Sequence, residues 1–262
     1  MTASIYAITN QKGGTGKTTT ALCLGTALTE KTQRVLLIDS DPQAGLTTSL
    51  SFDPDSFDTT IYNALINPEE NILQKIIKET KIQNLHFVPS NLDLSGVEGE
   101  LIGEIGWDRN LKELLSRICK EYDFILVDCP PSLGVLTTNA LMAADRVITP
   151  VQTEYLALRG LKQLNRIIAK VKKKGNPNLQ VKILRTMHDV RTLHSREVVE
   201  ELAKVFPGQV YEAVIKRTVK FADSTLAGES ILSYAKTSEG AMAYRKLAEE
   251  VLKDDKKTNI KR

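Results

Sequence analysis

The chain has 262 residues, 42% of them hydrophobic, and a formal net charge of +3, which suits one soluble α/β domain with a sizeable core. No apolar run approaches the ~20 residues needed to cross a bilayer, and Met1-Thr2-Ala3-Ser4 lacks the basic start of a signal peptide. There is no Gly/Ser/Pro-rich linker, low-complexity tract or internal repeat, so the expectation is a single cytoplasmic domain over residues 1–253 and a charged, disordered tail over 254–262.

In chain order, short β-branched runs at Ser4–Thr9, Arg34–Ile38, Leu85–Pro89, Phe124–Asp128, Arg146–Pro150 and Val181–Thr186 read as buried strands. Helical patterns fall between and after them, at Thr18–Leu28, Ile61–Leu65, Trp107–Glu121, Thr137–Ala143, Arg159–Lys173, Ser195–Val205 and Gly240–Lys253. This alternation predicts an α/β fold, a mostly parallel sheet with helices on both faces. In such sheets ligands bind beyond the carboxyl ends of the strands. Cys23, Cys119 and Cys129 are far apart and sit among apolar residues, so they read as free thiols rather than as disulfides, zinc ligands or iron–sulfur ligands.

Directly after the first strand comes Asn10-Gln11-Lys12-Gly13-Gly14-Thr15-Gly16-Lys17-Thr18-Thr19-Thr20. The glycines let backbone N–H groups close around phosphate oxygens, and the helix starting near Thr18 adds the positive end of its dipole. Residues Gly13, Gly14, Thr15, Gly16, Lys17, Thr18 and Thr19 therefore form a P-loop cradle, with Lys17 reaching the β- and γ-phosphates and the Thr18 hydroxyl a ligand for Mg²⁺. Where the usual pattern G-x-x-x-x-G-K-[ST] has its first glycine, this chain has Gln11, and a second lysine, Lys12, follows it. Lys12 either pairs with a nearby acid or points out to a nucleotide held by another subunit. Two further strands end in acids. Val35-Leu36-Leu37-Ile38 leads into Asp39 and Asp41, and Phe124-Ile125-Leu126-Val127 leads into Asp128, a Walker B pattern that places Asp128 on the magnesium side.

Lys12-Gly13-Gly14-Thr15-Gly16-Lys17-Thr18 resembles the deviant Walker A motif of the ParA/MinD superfamily. Further stretches resemble its ParA/Soj branch: Asp39-Ser40-Asp41-Pro42-Gln43, Asp128-Cys129-Pro130-Pro131-Ser132, Pro150-Val151-Gln152-Thr153-Glu154-Tyr155 and Thr186-Met187-His188-Asp189-Val190-Arg191-Thr192. The resemblance implies an ATPase using ATP and Mg²⁺. Lys12 would contact ATP across a sandwich homodimer, Asp41 would position the attacking water, and Asp39 would support the magnesium shell. It also places Met187, Lys216 and Thr218 near the adenine. The last two depart from the family's I-P-R-N-V-R-L segment, which here is Ile215-Lys216-Arg217-Thr218-Val219-Lys220-Phe221. The helix-turn-helix that larger plasmid-borne members carry ahead of the P-loop is not expected, since the loop begins at about residue 10.

No acid occurs from 155 to 188, where Lys162, Arg166, Lys170 and Lys173 recur at helical spacing. The stripe is either a solvated helix face or a phosphate-binding one. The resemblance assigns non-specific duplex DNA to Arg191 and Arg217, to which we add Lys220 and Lys236; such binding would be salt-sensitive. It further implies a ParB-type centromere-binding partner, nucleoid association and chromosome or plasmid partitioning. A MinD-type division-site regulator is the alternative, but the C-terminal tail offers only Ile260 to a membrane. A nitrogenase-reductase-like electron carrier does not fit the cysteine spacing. A positioning ATPase for another cargo fits the same motifs.

Overall fold

The computed structural model describes residues 2–69, 71–152, 157–188 and 193–259, except the side chains of 157–160, 162, 193–197, 199 and 257–259. Its strands are β1 Ser4–Ile8, β2 Val35–Asp39, β3 Lys78–Glu79, β4 Leu85–Val88, β5 Phe124–Asp128, β6 Arg146–Gln152, β7 Gln180–His188 and β8 Val210–Lys216. The helices are α1 Lys17–Thr29, α2 Gly45–Ser49, α3 Ile61–Ile66, α4 Ile72–Ile76, α5 Val97–Leu101, α6 Asn110–Ile118, α7 Val135–Ala143, α8 Ala157–Lys174, α9 Leu193–Val205, α10 Lys220–Leu226, α11 Ile231–Tyr234 and α12 Glu239–Asn259. One sheet runs β3-β4-β2-β5-β1-β6-β7-β8. Every pairing is parallel except the short β3–β4 edge.

The sheet is buried on both faces, and period-2 alternation sorts its side chains between two cores. Leu36, Ile38, Ile125, Val127 and Ala7 face the layer of α3, α5, α6, α7 and α8. Val35, Leu37, Phe124, Leu126, Tyr6 and Ile8 face α1, α11 and α12. By the same alternation Asp39 and Asp128, the last residues of β2 and β5, fall on the α1 side. Helix α1 lies very close to the sheet at Gly25, where a Cβ would stand 2.8 Å from Leu37 Cδ2.

All six strands expected from the sequence are present, with ends shifted by up to two residues. Two were not anticipated. β3 is only two residues long, and β8 shows the alternating burial of an edge strand. The helix expected at Trp107–Glu121 begins as a 3₁₀ turn and is α-helical only over Asn110–Ile118. The boundary drawn at residue 253 falls inside α12, which continues to Asn259. The reason is electrostatic. Asp255 lies 3.6 Å from the buried Arg146 guanidinium and accepts from the Ser4 hydroxyl, Asp254 pairs with Lys182 at 2.9 Å, and its carbonyl accepts from Arg146 Nη2.

Candidate phosphate and metal site

β1 is central, with β5 on one side and β6 on the other, so the chain leaves β1 at the point where strand order reverses. The loop that follows is built on positive-φ glycines, Gly14 at 69° and Gly16 at 88°. Gly13, Gly14 and Gly16 have open space where a Cβ would stand, which is the clearance a phosphate chain needs. Gly16 caps α1 without a side-chain hydrogen bond, and no acid sits in the first turn. The orphan N–H groups of that turn are left to a ligand.

Neighbouring strands hold the loop in place. Asn10 Nδ2 donates to the Pro150 carbonyl at 2.7 Å while its Oδ1 accepts the Lys12 N–H at 3.0 Å. From β7, the Thr186 hydroxyl donates to the Thr15 carbonyl at 2.9 Å. Gln152, at the end of β6, contacts three groups: its Oε1 accepts from Lys12 Nζ at 2.7 Å, and its Nε2 reaches the Gly14 carbonyl at 2.8 Å and Met187 Sδ at 2.9 Å. Lys12 is thus held along the loop by an amide. Met187 itself sits at positive φ, 48°, unusual for a side chain of its size.

The two strand-end acids are in register across β2 and β5, yet their environments differ. Asp39 Oδ2 accepts from the Thr47 N–H and hydroxyl, both at 2.8 Å, and Oδ1 accepts the Asp41 N–H at 3.2 Å. Burial pushes its pKa up to about 6 against these donors. Asp128 is also buried, but neither of its oxygens has a hydrogen-bond partner of normal geometry. Desolvation first, then the charge of Asp39, raises its carboxyl well above the ordinary range, while the nearby Thr18 hydroxyl and Lys17 ammonium act in the opposite direction. A buried carboxylate left without donors, beside a threonine hydroxyl and a lysine, fits a hard divalent cation with oxygen ligands.

Asp41 stands half-buried at the mouth of the site. Its loop is anchored by Ser90, whose hydroxyl donates to the Asp41 carbonyl at 2.9 Å and whose N–H donates to Thr47 Oγ1 at 3.1 Å. Ser90 therefore ties the end of β4 to Asp41 directly and to Asp39 through Thr47.

The expected cradle, Lys17, Thr18, Asp39, Asp41, Asp128 and Met187 come together here. Lys216 and Thr218 lie at and just beyond the end of β8, three strands out from β1; Lys216 pairs with Glu239 at 3.2 Å, and Thr218 accepts the Lys220 N–H at 3.4 Å. Arg217, Lys220 and Lys236 are exposed, and Arg191 lies outside the described residues. Sequence reading passed over Thr47 and Ser90, and quoted Asn10, Gln152 and Thr186 without giving them a role. All but Thr47, which lies in α2, sit towards strand ends beside the loop, but which partner each takes is set by strand register.

The model of a family described as an AAA domain matches residues 3–181. Over 248 residues the chain is 43% identical to the sporulation initiation inhibitor protein Soj of Bacillus subtilis, covering 94% of this chain and 97% of that one. It is 42% identical to the chromosome partitioning protein ParA of Myxococcus xanthus over 252 residues, 96% of this chain and 88% of that one. Among solved structures, a Mycobacterium smegmatis protein described as cobyrinic acid a,c-diamide synthase, bound to an ATP analogue and magnesium, superposes with a TM-score of 0.85 at 38% identity over 97% of this chain and 96% of that one. Among the described residues no helix is long and apolar enough to cross a membrane.

Proposed function

The chain belongs to the ParA/Soj family of partitioning ATPases, and from that membership and the site's geometry we propose that it is an ATP-dependent dimerising switch. In its ATP state it would bind duplex DNA without reading sequence, and hydrolysis stimulated by a ParB-type partner would release it, in the cytoplasm and on the nucleoid. The observation that carries this reading is the pairing of an open phosphate loop with the donorless Asp128 carboxylate. The M. smegmatis structure with its ATP analogue and magnesium supports the same ligands here. Its name denotes a different reaction, while the M. xanthus relative named for chromosome partitioning is slightly more identical to this chain.

Thr18 and Asp128 would hold Mg²⁺, and the ion would neutralise phosphate charge. Loop N–H groups and Lys17 orient the phosphates, and Asp41 holds the attacking water in line. Phosphoryl transfer needs little beyond such positioning and electrostatic stabilisation. Asp39 serves chiefly by shaping the Asp41 loop, since its oxygens already accept three hydrogen bonds. Lys12 must leave Gln152 to reach a partner's nucleotide, so dimerisation exchanges one polar contact for a phosphate contact. Met187, Lys216 and Thr218 would border the base, and Arg191, Arg217, Lys220 and Lys236 would contact DNA phosphates.

Sedimentation velocity with ATP tests the switch. Asp41→Ala should sediment as a dimer and Lys12→Ala/Asp41→Ala as a monomer. A dimer in the double variant would remove Lys12 from the mechanism.

A further inference from the structure

Gln152 closes β6 and is buried beside the phosphate loop, in register with Thr186 of β7. A primary amide carries one acceptor oxygen and one NH2 group, and here both ends are engaged. Oε1 accepts from Lys12 Nζ at 2.7 Å, while Nε2 donates to the Gly14 carbonyl at 2.8 Å and to Met187 Sδ at 2.9 Å. The amide therefore has one workable orientation. Turned over, it would set its N–H groups against an ammonium and its oxygen against a carbonyl.

Met187 makes the third of these contacts from a strained backbone. Its φ of 48° lies in the left-handed region, which a long side chain seldom adopts, and the β7–β8 register shifts between Arg185 and His188. Such a conformation persists where its surroundings fix it, and the sulfur–amide contact is one such fixture. Lys12 has contacts besides Gln152, but the chemistry at position 152 decides how firmly the lysine is held against its own loop. A carboxylate there would form an ion pair with the ammonium, and alanine would hold nothing. A neutral amide is intermediate. Only one side of its bond to the ammonium is charged, so a triphosphate with several negative charges outcompetes it.

We propose that Gln152 is a positioning residue that sets the threshold for ATP-dependent dimerisation: it holds Lys12 in cis, and Met187 keeps it in that pose. This role rests on the reading of Lys12 as a contact to the partner's nucleotide. It goes beyond that reading by giving control of the lysine to two side chains outside the phosphate loop. A base seated against Met187 would compete with the amide for the sulfur, so filling the base side loosens the hold on Lys12. Nucleotide binding and release of the lysine are thereby linked through one side chain.

The test is sedimentation equilibrium of the full chain at saturating Mg·ATP, with Asp41→Ala as the parent to slow hydrolysis. Adding Gln152→Ala should tighten the dimer about tenfold, the scale of a hydrogen bond to a charged group, and Gln152→Glu should weaken it about as much. An amide that merely braced the loop would give the same sign in both, since each variant loses the donors to Gly14 and Met187. Met187→Ala should tighten the dimer when Gln152 is present and add nothing to Gln152→Ala. Shifts of one sign in the Ala and Glu variants, parental dimer constants in both, or an equal Met187→Ala effect with and without Gln152 overturn the proposal. Mg·ATP should raise the Tm of every variant; loss of that rise in Gln152→Ala places the residue in nucleotide binding instead and also overturns it. Failure of the underlying reading looks different: Lys12→Ala in the same parent then keeps the parental dimer constant. If only the proposal fails, Lys12→Ala is monomeric while the Gln152 variants do not move in opposite directions.

Discussion

Asp128→Asn should stabilise the nucleotide-free protein while abolishing its response to Mg·ATP. The carboxylate is buried and has no hydrogen-bond partner of normal geometry, so without a cation it either stays charged in a poor solvent or takes up a proton. Protonation sets the ceiling on the cost. With an ordinary pKa of 3.8 in the unfolded chain, holding the proton at pH 7 costs about 4 kcal/mol, at 1.36 kcal/mol per unit. Lys17 and Thr18 offset part of this, which leaves an expected gain of about 1 to 3 kcal/mol on substitution, or roughly 3 to 10 °C in Tm. The sign of the pH dependence follows from the raised folded pKa. Wild type takes up the extra proton as pH falls towards 3.8, so its stability rises relative to the pH-independent asparagine. The Tm advantage of the variant should therefore be largest near pH 7 to 8 and smaller at pH 5. Calorimetry in EDTA at both pH values reads this directly, and repeating it with Mg·ATP should raise Tm for wild type alone. An Asp128→Asn protein that is less stable than wild type at pH 7, or one that keeps the Mg·ATP shift, would refute the argument.

Ser90→Ala removes the hydroxyl that anchors the Asp41 carbonyl. It should cost about 1 kcal/mol in urea denaturation and lower kcat about tenfold through misplacement of Asp41, with nucleotide affinity nearly unchanged; an unaltered kcat would remove Ser90 from the site. Ending the chain at Lys253 strips Asp254 and Asp255 from the buried Arg146. Thermal unfolding should show a loss of about 3 kcal/mol or more, largely restored by adding Arg146→Met, and an unchanged Tm would mean that the C-terminal end of α12 contributes nothing. Gln152→Ala removes one partner of Lys12 and unties the Gly14 carbonyl. Amide exchange in the loop should rise about tenfold, the equivalent of about 1.4 kcal/mol, and exchange at the wild-type rate would show that the loop does not depend on Gln152.

The catalytic carboxylates were legible because each ends a buried strand. A run such as Phe124–Val127 reads as interior, and the acid after it emerges at the carboxyl end of the strand. That Asp39 and Asp128 differ in role was not legible, because it depends on Thr47 and Asp41 donating to one while no donor reaches the other at normal hydrogen-bond geometry. Strand β8 carries a period-2 pattern that reading by motif passed over. The short helices α2, α4, α5, α10 and α11, of four to seven residues, are too brief for a 3.6-residue period to register. The fate of residues 254–259 turned on a partner far away in sequence. Their composition reads as solvated, yet Arg146, buried at the start of β6, holds them in the helix.

The most direct test of the switch is retention on non-specific duplex DNA with ATP, ADP or no nucleotide at two salt concentrations, with Asp41→Ala run alongside. The account predicts strong, salt-sensitive retention with ATP that persists in Asp41→Ala, and loss of retention with ADP or without nucleotide. Equal retention in all three nucleotide states would contradict it.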